Sequence, residues 1–209
     1  MGTRGAYGYR MNDEDKIVYN HFDSYISGGL GEDIMTFCSL HTTDEMVESF
    51  TFMFAIKEDK KPTKKQIKEC AAWTDMSVTG SKEPNWYQLL RKTQGKLEAY
   101  LENGIPYYVD YKDFLKNSLF CEWAYIINLD TKKLEIYSGF NKKPVGDGRY
   151  ASLQIDDEKD YYGVVLQKEI DLTFLYELNE DRIKEICKKI SKEIEEKINR
   201  EYEKEKIKV

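Results

Sequence analysis

MGTRGAYGYRMNDEDKIVYNHFDSYISGGLG, residues 1–31, decides how the fold begins. Thr3 to Arg10 alternates loosely, Met11 to Asp15 is polar, and Lys16 to Phe22 alternates again. Ile17, Tyr19 and His21 share one face, and Val18, Asn20 and Phe22 share the other. A period of two on both sides of a polar break predicts a β-hairpin, with a loop slightly longer than two residues. If the second strand continues past Phe22, His21 and Asp23 emerge on the same face, near enough for the carboxylate to orient the imidazole. Gly28, Gly29 and Gly31 then permit a tight turn. Beyond them Ile34, Phe37 and Cys38 recur at helical spacing, which predicts a short helix.

Further along, Thr42 with Glu45 forms a capping box ahead of the apolar stripe Met46, Phe50, Met53 and Phe54. A charged run, Lys57 to Lys61, ends that helix. Pro62 and Thr63 with Gln66 start another, whose inner face is Ile67, Cys70 and Ala71. Asn85 opens a third, with Trp86, Leu89, Leu90, Leu97, Tyr100 and Leu101 on one side, Gly95 as an interruption and Gly104 with Pro106 as the stop. The pattern then turns to β. Phe120 to Leu129 is aromatic and β-branched, Asp130 to Lys133 is turn chemistry, and Leu134 to Phe140 alternates, a second hairpin. Tyr161 to Gln167 reads as one more strand. At the end Leu178 and Ile183 staple an Asn179 cap, and Ile183, Cys187, Ile190, Ile194 and Ile198 trace the stripe of a long amphipathic helix.

No repeat or Pro/Ser-rich linker divides the chain. The expectation is α+β: a single domain with two antiparallel hairpins, a central helical layer and a long C-terminal amphipathic helix. Residues 1–178 form the core domain and residues 179–209 a helix packed on it.

Composition narrows the function. At 209 residues one core suffices, burying roughly 70% of the extended surface. With 16 tyrosines and 9 phenylalanines the chain is folded, although 33% of its residues are charged. Its net charge of −6 leaves −7 for residues 1–178, because the terminal helix is nearly balanced. An acidic body lacks the clustered Lys and Arg that hold a phosphate backbone, so direct nucleic-acid binding has no footprint. The interspersed charges also argue against mimicry of nucleic acid. Cys38, Cys70, Cys121 and Cys187 stand far apart and read as reduced core residues. No signal or membrane-spanning segment is evident, which predicts a cytoplasmic protein. No zinc spacing or cofactor motif appears, so no metal or cofactor is expected.

Five segments together resemble an uncharacterised family of bacteria and their phages: MGTRG (1–5), YNHFDSY (19–25), WYQLLRKTQG (86–95), SLFCEWAYIINLD (118–130) and LEIYSGF (134–140). Members often carry proline after the His-Phe-Asp-Ser-Tyr run, where this chain has Ile26. The resemblance covers about residues 1–150 and implies accessory gene content without a known reaction. That context suggests binding to a bacterial host protein or complex in the host cytoplasm, with inhibition of a defence system, anti-CRISPR or similar, as the purpose.

Candidate site residues follow from chemistry. His21 and Asp23, with Arg4 as an anion clamp, make a general-base set for a small hydrolase or transferase, the alternative function. Ser24, Thr3 and Cys38 are its available nucleophiles, none within a recognisable motif. An N-terminal nucleophile is disfavoured because removal of Met1 leaves Gly2. For binding, the candidates are Tyr19, Tyr25, Trp86, Arg91 and Glu122: Arg91 falls four residues after Tyr87, a spacing that lets a guanidinium stack on a ring. Glu122 is read either as exposed or as a buried acid paired with Arg4 or Arg91. The isoleucine stripe leaves monomer and dimer both open.

Overall fold

The computed structural model describes residues 2–101, 104–155 and 160–206. The chain is α+β. It runs β1 (Gly5–Met11), β2 (Glu14–Asn20), α1 (Leu30–Leu40), α2 (Thr43–Phe52), β3 (Phe54–Ile56), α3 (Lys64–Glu69), α4 (Trp86–Leu89), β4 (Tyr107–Val109), β5 (Trp123–Asn128), β6 (Lys133–Ser138), β7 (Val165–Asp171), α5 (Leu172–Leu175) and α6 (Glu180–Lys206).

Five strands form one sheet in the order β2-β1-β5-β6-β7, and β3 pairs with β4 in a separate parallel ribbon. Both hairpins are antiparallel, and they join through a parallel β1–β5 seam in which Gly5 stands opposite Trp123. The first hairpin turns in two residues rather than the longer loop expected. Asn12 and Asp13 both take positive φ, at 52° and 61°, the twist of a two-residue type I′ turn, and Asn and Asp tolerate that conformation better than other side chains. The last strand occupies Val165–Asp171, four residues beyond the expected start at Tyr161.

Each face of the sheet is covered. Tyr7, Tyr9, Tyr125, Ile127, Leu134 and Ile136 point into a large core shared with α1, α2 and α6. On the other face Ala6, Ile17, Ala124, Ile126 and Tyr137 pack beneath Leu115, Tyr150 and Val164. Burial on both sides explains why β5 is apolar without alternation. Under the second layer lies a charged knot. Glu135 is 3% exposed and accepts hydrogen bonds from Asn128 (2.7 Å), Tyr137 (2.8 Å) and Arg149 (2.9 Å), while Arg149 Nη2 makes a further ionic contact at 2.6 Å. Tyr150 passes the network on to Asp15 at 2.8 Å.

Local signals set where the helices start more than where they end. Both expected capping boxes form, Thr42 with Glu45 and Thr63 with Gln66. Helix α2, however, ends at Phe52, so Phe54 leaves the stripe for β3 and is 63% exposed. Lys16, from the sheet, donates to the carbonyls of Phe50 and Met53 at 2.8 Å each, satisfying acceptors at the helix C-terminus. The helix expected from Asn85 to Leu101 is broken. It is the single turn α4 followed by 3₁₀ turns at Arg91–Thr93 and Leu97–Tyr100, with Gly95 at φ 79° between them. Asn179 caps α6 through its bond from the Arg182 amide, and Ile183, Cys187, Ile190 and Ile194 are buried against the core. Residues 207–209 of the expected terminal segment lie outside the described residues. Among the described residues no helix is long and apolar enough to cross a membrane.

Candidate functional site

Residues 19–31 carry the chain from β2 to α1 across the end of the sheet where β1 and β5 begin. Their path is fixed by short-range demands. Strand β2 stops at Asn20, whose amide donates to the carbonyl of Phe22 and to Ser24 Oγ, the latter at 2.9 Å. Asp23 takes φ 52°, a left-handed conformation that reverses the chain, and its carbonyl accepts from Leu30 N at 2.8 Å. A Cβ on Gly29 would stand 2.1 Å from that carbonyl oxygen, so glycine is required there. Ser24 is fully buried, its amide bonded to the Thr3 carbonyl (3.1 Å) and its carbonyl to the Tyr125 hydroxyl (2.9 Å). Ile26 is buried at the head of α1.

His21 and Asp23 are thereby separated. Neither lies in a strand, and the imidazole is bonded to Tyr19, whose hydroxyl sits 2.7 Å from Nδ1. In the neutral ring this contact is satisfied with Tyr19 donating and the ring proton on Nε2. Burial, then Arg91 and Arg4, hold His21 below the ordinary histidine range. None of the three candidate nucleophiles is accessible: Ser24 and Cys38 are fully buried, Thr3 is 3% exposed, and burial pushes the Cys38 thiol upward.

The side chains around His21 form a continuous surface of rings and guanidiniums. Phe22 stacks edge-on against His21 with centroids 4.2 Å apart, and Arg91 lies 5.5 Å over Phe22 and 5.8 Å over Tyr87. Gln94 ties this together, its Oε1 accepting from both the Arg91 guanidinium and the His21 amide. On the other side Tyr19 rests on Tyr111 and Phe114, and Arg4 lies 5.5 Å over Phe120. Phe22, Tyr25 and Phe120 are each close to half exposed. Among the described residues neither Arg4 nor Arg91 has a carboxylate partner, whereas Arg10, Arg149 and Arg182 each do.

Of the expected binding residues, Tyr19 and Arg91 belong to this surface and Tyr25 lies exposed in the adjoining loop. Trp86 does not: it is 2% exposed, with its indole nitrogen bonded to the Lys60 carbonyl. Glu122 is half-buried and accepts from the Arg4 backbone amide at 3.3 Å, so its bond is to the main chain rather than to a guanidinium. The expected stacking of Arg91 on Tyr87 is present; Phe22, Gln94 and Phe120 were not singled out from sequence, since only the fold brings them together.

Beside Tyr19 a small, half-open hollow of about 30 Å³ is lined by Trp86, Tyr87 and Tyr111. Beside the ring surface a wider cleft of about 720 Å³ opens between the Gly28–Asp33 turn and the Arg91–Lys96 segment. Asp23 lines it; Arg4, His21 and every serine, threonine and cysteine among the described residues do not. No family model matches this chain, and no curated protein or solved structure matches it either. The five-segment resemblance therefore stands on its motifs alone.

Proposed function

We propose that this chain works by binding a bacterial protein or protein complex, as an accessory protein of a phage or mobile element whose purpose is inhibition of host defence, anti-CRISPR or similar. The observation that carries the binding reading is the surface in which Arg4 and Arg91, without a carboxylate partner among the described residues, lie over exposed aromatic rings. Arg and aromatic side chains supply most hot spots of protein interfaces, because each presents a large, stiff face together with directional donors. The hollow beside Tyr19 holds about one water, so a ligand of this surface lies across it rather than within it. The phage context is supported by the motif resemblance.

The hydrolase or transferase alternative needs Arg4, His21, Asp23 and a nucleophile around one opening. The cleft takes only Asp23 of these, and the imidazole is committed to Tyr19.

Affinity capture from bacterial lysate tests the proposal, with the wild type beside a folded Arg4→Ala/Arg91→Ala variant and a folded His21→Ala/Asp23→Ala variant. The expected result is a stoichiometric protein retained by the wild type and lost from the arginine variant. No retained protein, or one held equally by all three chains, overturns the reading.

A further inference from the structure

The cleft beside the ring surface has walls of opposite charge. Asp23, Glu32 and Asp33 line one side, from the turn into α1 and its first residues; Arg91, Lys92 and Lys96 line the other, with Asp75 near Arg91 and Lys92 as the one acid among them. Glu32 accepts the Gly28 amide at 3.0 Å, and no ion pair spans the cleft among the described residues. Opposed charges that face each other without meeting leave room for a guest that carries both signs. Arg91 and Phe22 belong to the cleft and to the ring surface alike, so one guest segment reaches both.

From this geometry we infer that the cleft is a second subsite for the same partner, receiving a basic side chain on the Asp23–Asp33 wall while an acidic side chain of the same segment meets Arg91. The inference rests on the binding reading above and names the chemistry of its partner. Burial first, then Glu98 and Glu32, raise the Asp33 carboxyl against the opposing effect of Lys96, and an incoming cation favours its charged form. A phosphodiester chain fits poorly, because it carries no positive charge to set against Asp23, Glu32, Asp33 and Asp75. A peptide carries one charge of each sign at separate positions and suits both walls.

Four capped tetrapeptides provide the test: Glu-Tyr-Gly-Arg, its Gln form, its norleucine form, and the form carrying both replacements. Backbone amide shifts of Gly28, Gly29 and Gly95 report the cleft. The expected result is saturable binding of the doubly charged peptide, about three- to fivefold weaker on loss of either charge, the scale of exposed ion pairs. Asp33→Asn, confirmed folded by its amide spectrum, should abolish the preference for Arg over norleucine and keep the preference for Glu over Gln. Equal affinity for all four peptides, unmoved cleft amides at millimolar peptide, or an Asp33→Asn chain that still prefers Arg overturns the subsite. So does an oligothymidylate that shifts these amides when the peptides do not. A partner captured from lysate and held equally by Asp33→Asn removes the subsite alone and leaves the binding reading standing.

Discussion

The Tyr19 hydroxyl lies 2.7 Å from His21 Nδ1, the place that sequence spacing assigns to the carboxylate of Asp23, while Asp23 itself lines the neighbouring cleft. A phenol does not hold an imidazole as a carboxylate does. It stays neutral, because burial raises the Tyr19 pKa, and so offers no charge to stabilise an imidazolium. The pair fits a fixed, neutral side chain on a recognition surface better than a general base.

His21 should therefore titrate below 6.5, the value for a free side chain, and Arg91→Ala should raise its midpoint by removing one of the two nearby positive charges. Because the folded pKa is depressed, the unfolded chain binds the proton more readily. Stability from this group is complete above the unfolded value and falls as pH drops through it. Imidazole resonances followed from pH 8 to pH 4 in both chains check the prediction; an unchanged midpoint in Arg91→Ala refutes it.

Arg149→Met should lower the unfolding free energy by about 3 kcal/mol at pH 7, since it strips a buried carboxylate of its counter-ion. In the wild type burial opposes the Glu135 anion, but bonds from Arg149, Asn128 and Tyr137 outweigh it and hold the group below its ordinary range. That contribution is present above the unfolded value near 4.5 and is lost as pH falls. Without Arg149 burial dominates and the folded pKa moves above the unfolded one. The sign then reverses, and the variant loses stability as pH rises through the new value. Urea titrations at pH 7 and pH 4.5 should show the gap between the two chains narrowing in acid.

Sequence reading succeeded where the deciding interactions are local. The boxes at Thr42 and Thr63 need only four residues each, and the stripe of α6 needs only helical geometry, buried from Ile183 to Ile194 although its expected last member, Ile198, is 42% exposed. It failed where distant contacts override a local pattern. Trp86, Leu89, Leu90, Leu97 and Tyr100 satisfy a helical period, and the interruption expected at Gly95 is present, yet the segments on either side are single turns, and the Tyr7 hydroxyl binds the Thr93 carbonyl at 2.7 Å. The ring surface was half legible: Arg91 with Tyr87 is a near-neighbour pair, whereas Arg4 meets the Phe120–Glu122 segment across 118 residues. A single aspartate at positive φ undid the His21–Asp23 pairing.

Gly5→Ala should destabilise the chain by about 1–3 kcal/mol, the range for overpacking a filled interior. Its Cβ would stand 2.6 Å from Ser24 Cβ and from the Trp123 carbonyl oxygen, where the N-terminal strand, the Ser24 turn and β5 meet. Ser24 is itself pinned by Thr3, Asn20 and Tyr125 and has nowhere to withdraw. A thermal midpoint equal to that of the wild type would show that the junction is loose.

Lys16→Met tests whether a sheet residue closes the end of α2. The ammonium donates to two carbonyls and lies 4.3 Å over the Phe50 ring, while the methylene stem is buried beside β1. Methionine keeps most of that packing and removes only the donors, so the cost falls on acceptors left without partners in a buried position, about 1–3 kcal/mol. Loss on that scale, with faster amide exchange confined to the last turn of α2, is the expected outcome. A loss spread evenly over the whole sheet would instead assign Lys16 to the packing of β1 on β2.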